Sequence, residues 1–203
     1  KAHNTLVLSK SKEHESTGAE NINKAAGNLL LSKEEVGQQL IVTENQGYDH
    51  FKHRRAIFYI RQPQEFFVLV DEGFGTATGY AKLYFHLCDE KSVDNVVLDN
   101  QQLGAHTTFG DKNNLLIRTF GNKTTTFKEF DGRISYNTDR IYKDRKAYAV
   151  VMQKPDKNPV RYITVLYPVQ SDINHKIEAQ FVDAEDENNV SVKVTVDGTV
   201  YNL

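Results

Sequence analysis

Tryptophan is absent from the 203-residue chain, and cysteine occurs once, at Cys88. A single thiol excludes an intramolecular disulfide framework and any zinc site built from cysteines. Such usage suits the cytoplasm, and equally a bacterial secreted protein that does without disulfides. No apolar run reaches the roughly 18 residues that a membrane-spanning helix needs, and no signal-peptide pattern opens the chain. An excess of charge of one sign is also missing. Lys and Arg number 25 against 27 Asp and Glu, for a net charge of −2 and an isoelectric point near 6.4. Gross electrostatic attraction to nucleic acid or to an anionic membrane is thereby disfavoured, which leaves a local patch as the only route to a polyanion.

Helical periodicity is the next absence. From residue 28 onward the chain reads as short runs rich in Val, Ile, Thr, Tyr and Phe, separated by Gly, Asn, Asp or Pro. The candidate strands are Thr5–Leu8, Asn28–Ser32, Gln39–Thr43, Phe51–Ile60, Phe66–Asp71, Gly79–Leu87, Val93–Leu98 and Asn114–Phe120. They continue with Thr124–Phe130, Arg133–Asn137, Lys146–Gln153, Arg161–Tyr167, Lys176–Phe181, Val190–Val196 and Thr199–Leu203. Two Asp-Gly pairs, Asp131-Gly132 and Asp197-Gly198, carry the chemistry of a two-residue type I′ hairpin turn. Many strands without interleaved helices predict an all-β fold, a multi-stranded antiparallel β-sandwich of two or more layers with under about one-tenth helix. Residues 1–203 are read as one sandwich domain in which the polar stretch Ser9–Gly27 forms a long surface loop. No internal repeat is evident. The chain lacks an initiator Met and is strand-like by Thr5, so we expect a fragment of a longer parent.

The basic cluster His53-Arg54-Arg55 is the one local patch that invites a polyanion. Strand alternation splits it, however, with His53 and Arg55 on one face and Arg54 on the other. The expectation is a core hairpin whose charged end meets solvent or a neighbour, apolar further along on both faces as in a strand covered from two sides. The Gly73–Gly79 stretch, GFGTATG, has its third glycine one residue too late for a dinucleotide loop, and the next segment alternates as a strand. It is read as a loose connection. The seven histidines, His3, His14, His50, His53, His86, His106 and His175, are scattered. Only His50 and His53 lie close in sequence, and they point to opposite faces. The acidic run Asp183–Asn189 lacks the glycine and closing Glu of a hand-type calcium loop and reads as a solvated hairpin tip. No nucleophile elbow or other local catalytic signature is present. Taken alone, these residues describe a β-sandwich with no catalytic centre of its own.

Six stretches resemble a known family. His53–Gly79, HRRAIFYIRQPQEFFVLVDEGFGTATG, is similar to a hallmark of the heparinase II/III family of bacterial polysaccharide lyases. Ala2–Leu8, AHNTLVL, resembles a second hallmark strand, and the runs NNLLIRTF, GRISY, AYAVVMQKP and ITVLYP resemble the C-terminal region of its heparan-sulfate-lyase type. The resemblance implies an N-terminal α/α toroid joined to this C-terminal sandwich, and cleavage of uronate glycosaminoglycans by β-elimination. It implies that a Tyr or His base removes the C5 proton while an Asn and a His stabilise the carboxylate. Those groups are expected upstream of Lys1, so no catalytic residue is assigned in this chain. One position carries over: His3, whose counterpart in some relatives helps bind a structural metal with a His and an Asp from earlier strands. No cofactor is expected in the fragment itself, and its partners are an acidic polysaccharide and its own toroid, with a periplasmic or secreted location. The other reading of the residues is a stand-alone carbohydrate-binding or adhesive sandwich; the absence of Trp leans against it, whereas ten Tyr sustain it.

Overall fold

A computed structural model describes residues 4–10, 26–87, 95–136, 141–170, 172–183 and 189–203. Among these there are fifteen strands and no helix, and all the pairings between strands are antiparallel. A four-stranded sheet has the order β1 (Leu6–Ser9), β6 (Gly79–His86), β11 (Ile141–Lys154), β10 (Thr125–Tyr136). An eight-stranded sheet begins with β2 (Asn28–Glu35), β3 (Gln38–Tyr48), β4 (Phe51–Ile60) and β5 (Phe66–Phe74). It continues with β12 (Val160–Val169), β9 (Asn114–Gly121), β8 (Gly104–Thr107) and β7 (Val96–Asp99). The last three strands, β13 (Ile177–Asp183), β14 (Ser191–Val196) and β15 (Thr199–Asn202), form a sheet of their own.

The eight-stranded sheet is the middle layer, and strand alternation gives it two cores. On β12, Val160 and Tyr162 join Leu83, Phe85, Tyr148 and Met152 of the four-stranded sheet. Ile163, Val165, Tyr167 and Val169 join Val192, Val194 and Val196 of the three-stranded sheet on the other face. Adjacent residues of β9 divide in the same way, Ile117 to the first core and Leu116 to the second. Each such side chain, once buried, contributes about 1.5–3 kcal/mol. The two-sided apolar pattern thus has its cause in a second covering sheet. It holds for β5 and β12, which are buried almost throughout, whereas β4 is mostly half-buried. The Tyr162 hydroxyl donates to the Ala81 carbonyl at 2.9 Å, so its polar end is satisfied within the first core. Beyond the covering sheets the β2–β3 hairpin extends the middle layer, and β2 is exposed along its whole length.

The chain departs from the sequence reading at three places. Asp131-Gly132 is not a turn: β10 runs through it, in unbroken register with β11 from Thr125–Met152 to Tyr136–Ile141. Gly132 is there because a Cβ would press on Ala147 at 2.8 Å and His86 at 3.1 Å, so the glycine permits close packing rather than a reversal. The expected turn at Asp197-Gly198 does form, with φ of 48° and 86°. The Gly73–Gly79 stretch is no loose connection either. Gly73 and Phe74 belong to β5, the Ala77 N–H donates to the His50 carbonyl at 3.1 Å, and the Gly75 carbonyl accepts from the fully buried Lys154 Nζ at 2.7 Å. The third departure is β8, GAHT, too short and too poor in β-formers to register as a strand. Most of the Ser9–Gly27 loop lies outside the described residues, although Ser9 itself closes β1.

Gly104 opens β8 where a Cβ would overlap the Ile117 carbonyl oxygen, a backbone atom that cannot swing aside. Gly104→Ala should therefore destabilise the fold by about 1–3 kcal/mol or more, read as a lower urea midpoint at unchanged slope. Gly110→Ala, where a Cβ meets nothing within 4 Å, is the matched control.

Candidate functional site: two ionic clusters at the head of the middle sheet

The register of β4, β5 and β12 sets Arg54, Glu72 and Arg161 side by side in one row. Glu72 bridges its neighbours, accepting from Arg54 Nε at 2.7 Å through Oε2 and from Arg161 Nε at 2.8 Å through Oε1. The Arg54 guanidinium also lies over the Phe74 ring, 4.6 Å from its centre. Arg55 pairs with Asp71 on the opposite face, Nε to Oδ1 at 2.7 Å and Nη2 to Oδ2 at 3.1 Å. His53, two residues earlier on the same face, places Nε2 2.6 Å from Asp71 Oδ1. Asp71 is fully buried. Burial pushes its carboxyl up, but the Arg55 charge and the His53 hydrogen bond together hold it below the ordinary range.

The split of the basic residues between faces therefore stands, and of the two surroundings expected, solvent or a neighbour, the structure shows the second. The charged end of β4 turns to its own acidic partners, one carboxylate on each face, instead of to solvent. Lys52 adds a fourth pairing, to Glu44 at 3.0 Å. These cations are neutralised within the domain, so they do not form a polyanion-binding stripe.

The Arg55 cluster reaches further. Arg55 Nη1 donates to the Asn4 carbonyl at 2.9 Å, the Asn4 side chain accepts from the His86 N–H at 2.7 Å, and the Thr5 carbonyl accepts from the Tyr84 N–H at 3.0 Å. The start of β1 is thus tied to β4 and β6 at once. Two of the stretches singled out in the sequence, Ala2–Leu8 and His53–Gly79, meet at this point.

The remaining candidates are dispersed. His3, the metal position, lies outside the described residues, as do His14, Cys88 and the centre of the acidic run at 184–188. His50 sits in the β3–β4 turn with φ of 56°. His106 is pushed below the usual range by burial and then by Arg118, with Asp99 opposing. His175 pairs with Asp197 at 2.7 Å on the surface. No cluster of three His, Cys, Asp or Glu side chains fit to hold a metal occurs among the described residues. Four features were not foreseen: the Asp71 cluster, the Glu72 cluster, the buried Lys154 and the His175–Asp197 pair. Asp71 and Glu72 were in view as the "VDE" of a quoted stretch, but cross-strand register is not written in either strand alone.

Comparison with known proteins now bears on these features. Residues 1–175 match the family Heparinase II/III-like, C-terminal. The chain belongs to the heparinase II/III-like family. It is 46% identical over 203 residues to a heparin-sulfate lyase of Bacteroides thetaiotaomicron, an alignment covering 99% of this chain and 27% of the relative. A heparin-sulfate lyase of Bacteroides stercoris is 28% identical over the same length, with 28% of it covered. The crystal structure of a heparinase III superposes with a TM-score of 0.87 at 44% identity, covering 99% of this chain and 29% of that one. The chain therefore spans under a third of the length of these relatives and matches their C-terminal sandwich. The family match stops at 175, just before β13–β15, yet these relatives align across that sheet as well.

Asp71→Ala would leave Arg55 and His53 facing an uncompensated, buried position. We expect a loss of about 3–5 kcal/mol, measured by denaturant unfolding. The pH dependence has a definite sign. A carboxyl whose folded pKa lies below its unfolded value of 3.8 contributes stability that is present above that pH. The contribution is lost as pH falls through the folded-state value. Acid titration of stability should show this component in the parent sequence and lack it in Asp71→Asn.

Proposed function

We propose that the chain is the C-terminal accessory domain of a bacterial polysaccharide lyase that cleaves uronate-containing glycosaminoglycan of the heparan sulfate or heparin type by β-elimination. The carrying observation is the alignment, over 99% of this chain, to a heparin-sulfate lyase at 46% identity, which includes the Asn4 and Arg55 segments that the fold brings together. In this reading the sandwich forms one wall of the substrate cleft and braces an α/α toroid. The toroid supplies the base and the groups that stabilise the uronate carboxylate, both of which must sit within hydrogen-bond reach of one sugar ring. The Arg55–Asn4 tie fixes the direction in which β1 leaves the sheet, and so the placement of what adjoins it. A structural divalent metal at His3 would draw its other ligands from outside this chain. The intact protein would act in the periplasm or outside the cell, where such glycans are met.

The rival reading, a free-standing carbohydrate-binding module, calls for a row of exposed aromatic rings. Among the described residues, Phe67 is the one aromatic in the set of exposed large apolar side chains, and it stacks on Tyr59 at 4.7 Å. One such pair is a poor platform for a chain of sugars.

The test follows the ultraviolet absorbance of the unsaturated uronate product on heparan sulfate. The intact protein should turn over and the 203-residue chain alone should not. Turnover by the chain alone would place a catalytic centre within it, and an intact protein inactive on every uronate glycan would end the lyase reading.

A further inference from the structure

A band of apolar side chains on the middle sheet belongs to neither core. Register sets Ile41, Ile57 and Leu69 in one cross-strand row, and Tyr59 and Phe67 in the next. Leu166, the following residue of that second row, packs against the first core, so the band lies on the face that carries the four-stranded sheet. None of the five residues takes part in either apolar cluster, and the four-stranded sheet therefore stops short of them. Ile41, Ile57 and Tyr59 are half-buried, and Phe67 keeps 38% of its surface exposed. The Tyr59 and Phe67 rings stack at 4.7 Å with 15° between their planes, which makes the outer part of the band flat.

We propose that this band is the docking face for the part of the same polypeptide that precedes Lys1 in the intact protein. It rests on the reading of this chain as the C-terminal part of a longer protein, and on no choice of glycan. Two observations select the occupant. With 27% and 28% of the two relatives covered, more than two-thirds of each lies outside the match, and the matched family is a C-terminal one. The start of β1 is also held on this same face. Arg55 and Ile57 are successive residues on that side of β4, and Arg55 donates to the Asn4 carbonyl at 2.9 Å. Upstream chain is thus delivered beside the band. A segment tethered there meets it at a high effective concentration, an advantage that a separate partner with equal contacts lacks. The composition suits a protein surface, since contiguous exposed apolar side chains with aromatic rings mark the core of an interface.

In the intact protein, p-benzoylphenylalanine replaces Phe67, and irradiation couples it to the nearest C–H bond. The expected product has the mass of the monomer and joins position 67 to a residue upstream of Lys1, located by mass spectrometry of the digest. A product of dimer mass would assign the band to a second copy, and one joined only within residues 1–203 would assign it to the domain itself. Either overturns the proposal, as does the absence of any product. Oxidative footprinting of the unsubstituted protein gives a second reading without the probe. Phe67 should be modified no faster than its fully buried neighbour Phe66, and faster modification overturns the docking. Lyase turnover by the same preparation separates the two failures. Turnover with no upstream product removes the docking face alone, whereas an upstream product without turnover upholds the docking face and removes the lyase reading.

Discussion

Two adjacent carboxylates, Asp71 and Glu72, sit within β5, a strand covered on both faces. Consecutive residues of a strand point oppositely, so each carboxylate enters a different side of the middle sheet. Moving an ion from water into such surroundings costs several kcal/mol even after relaxation, unless charge and hydrogen bonds are supplied on arrival. The sequence supplies them at matching spacing on β4: Arg54 for Glu72, and His53 with Arg55 for Asp71. This requirement pins the register of β4 against β5. A slip of one residue would exchange the face of every β4 side chain and break each of these pairings. Arg161 extends the same constraint to β12, the strand at the centre of both cores.

From that register the layers follow. Once β4, β5 and β12 are aligned, the apolar residues of β12 fall alternately to the two sides. Each side then needs its own cover, given by the four-stranded sheet on one face and by β13–β15 on the other. The start of β1 is tied into the same network through Asn4. Coupling among the pieces is thus electrostatic at one end of the sheet and apolar along its length.

The fold class was legible because it rests on local chemistry. Alternating β-branched and aromatic runs, broken by turn residues, identify strands without knowledge of their partners. Phe51–Ile60 was placed with both ends correct, and Asp197-Gly198 turned as its chemistry requires. What failed depended on distant contacts. Asp131-Gly132 has the composition of a turn, but Ala147 and His86 need the missing side chain more than the backbone needs a reversal. Lys154 reads as a surface lysine until its ammonium is found between the Gly75 and Asp156 carbonyls. The acidic partners of the basic cluster lay in plain sight, yet the pairing is a property of two strands and one register. Family membership was legible through quoted stretches of sequence.

The outermost strand, β2, has a second consequence. Among the described residues its outer side has no strand partner next to Leu29, Leu30 and Leu31, the kind of border onto which another polypeptide can add itself as one more strand. Three successive charged residues, Lys33, Glu34 and Glu35, occupy the far half of that border, and Lys33 and Glu35 are joined in an ion pair. Annealing a foreign strand there would mean stripping water from those charges, an expense that the leucine half does not impose. Protection against self-association is therefore lopsided. It is strong near the β2–β3 turn and weak at the Asn28 end, so a foreign strand would add first along the leucine half.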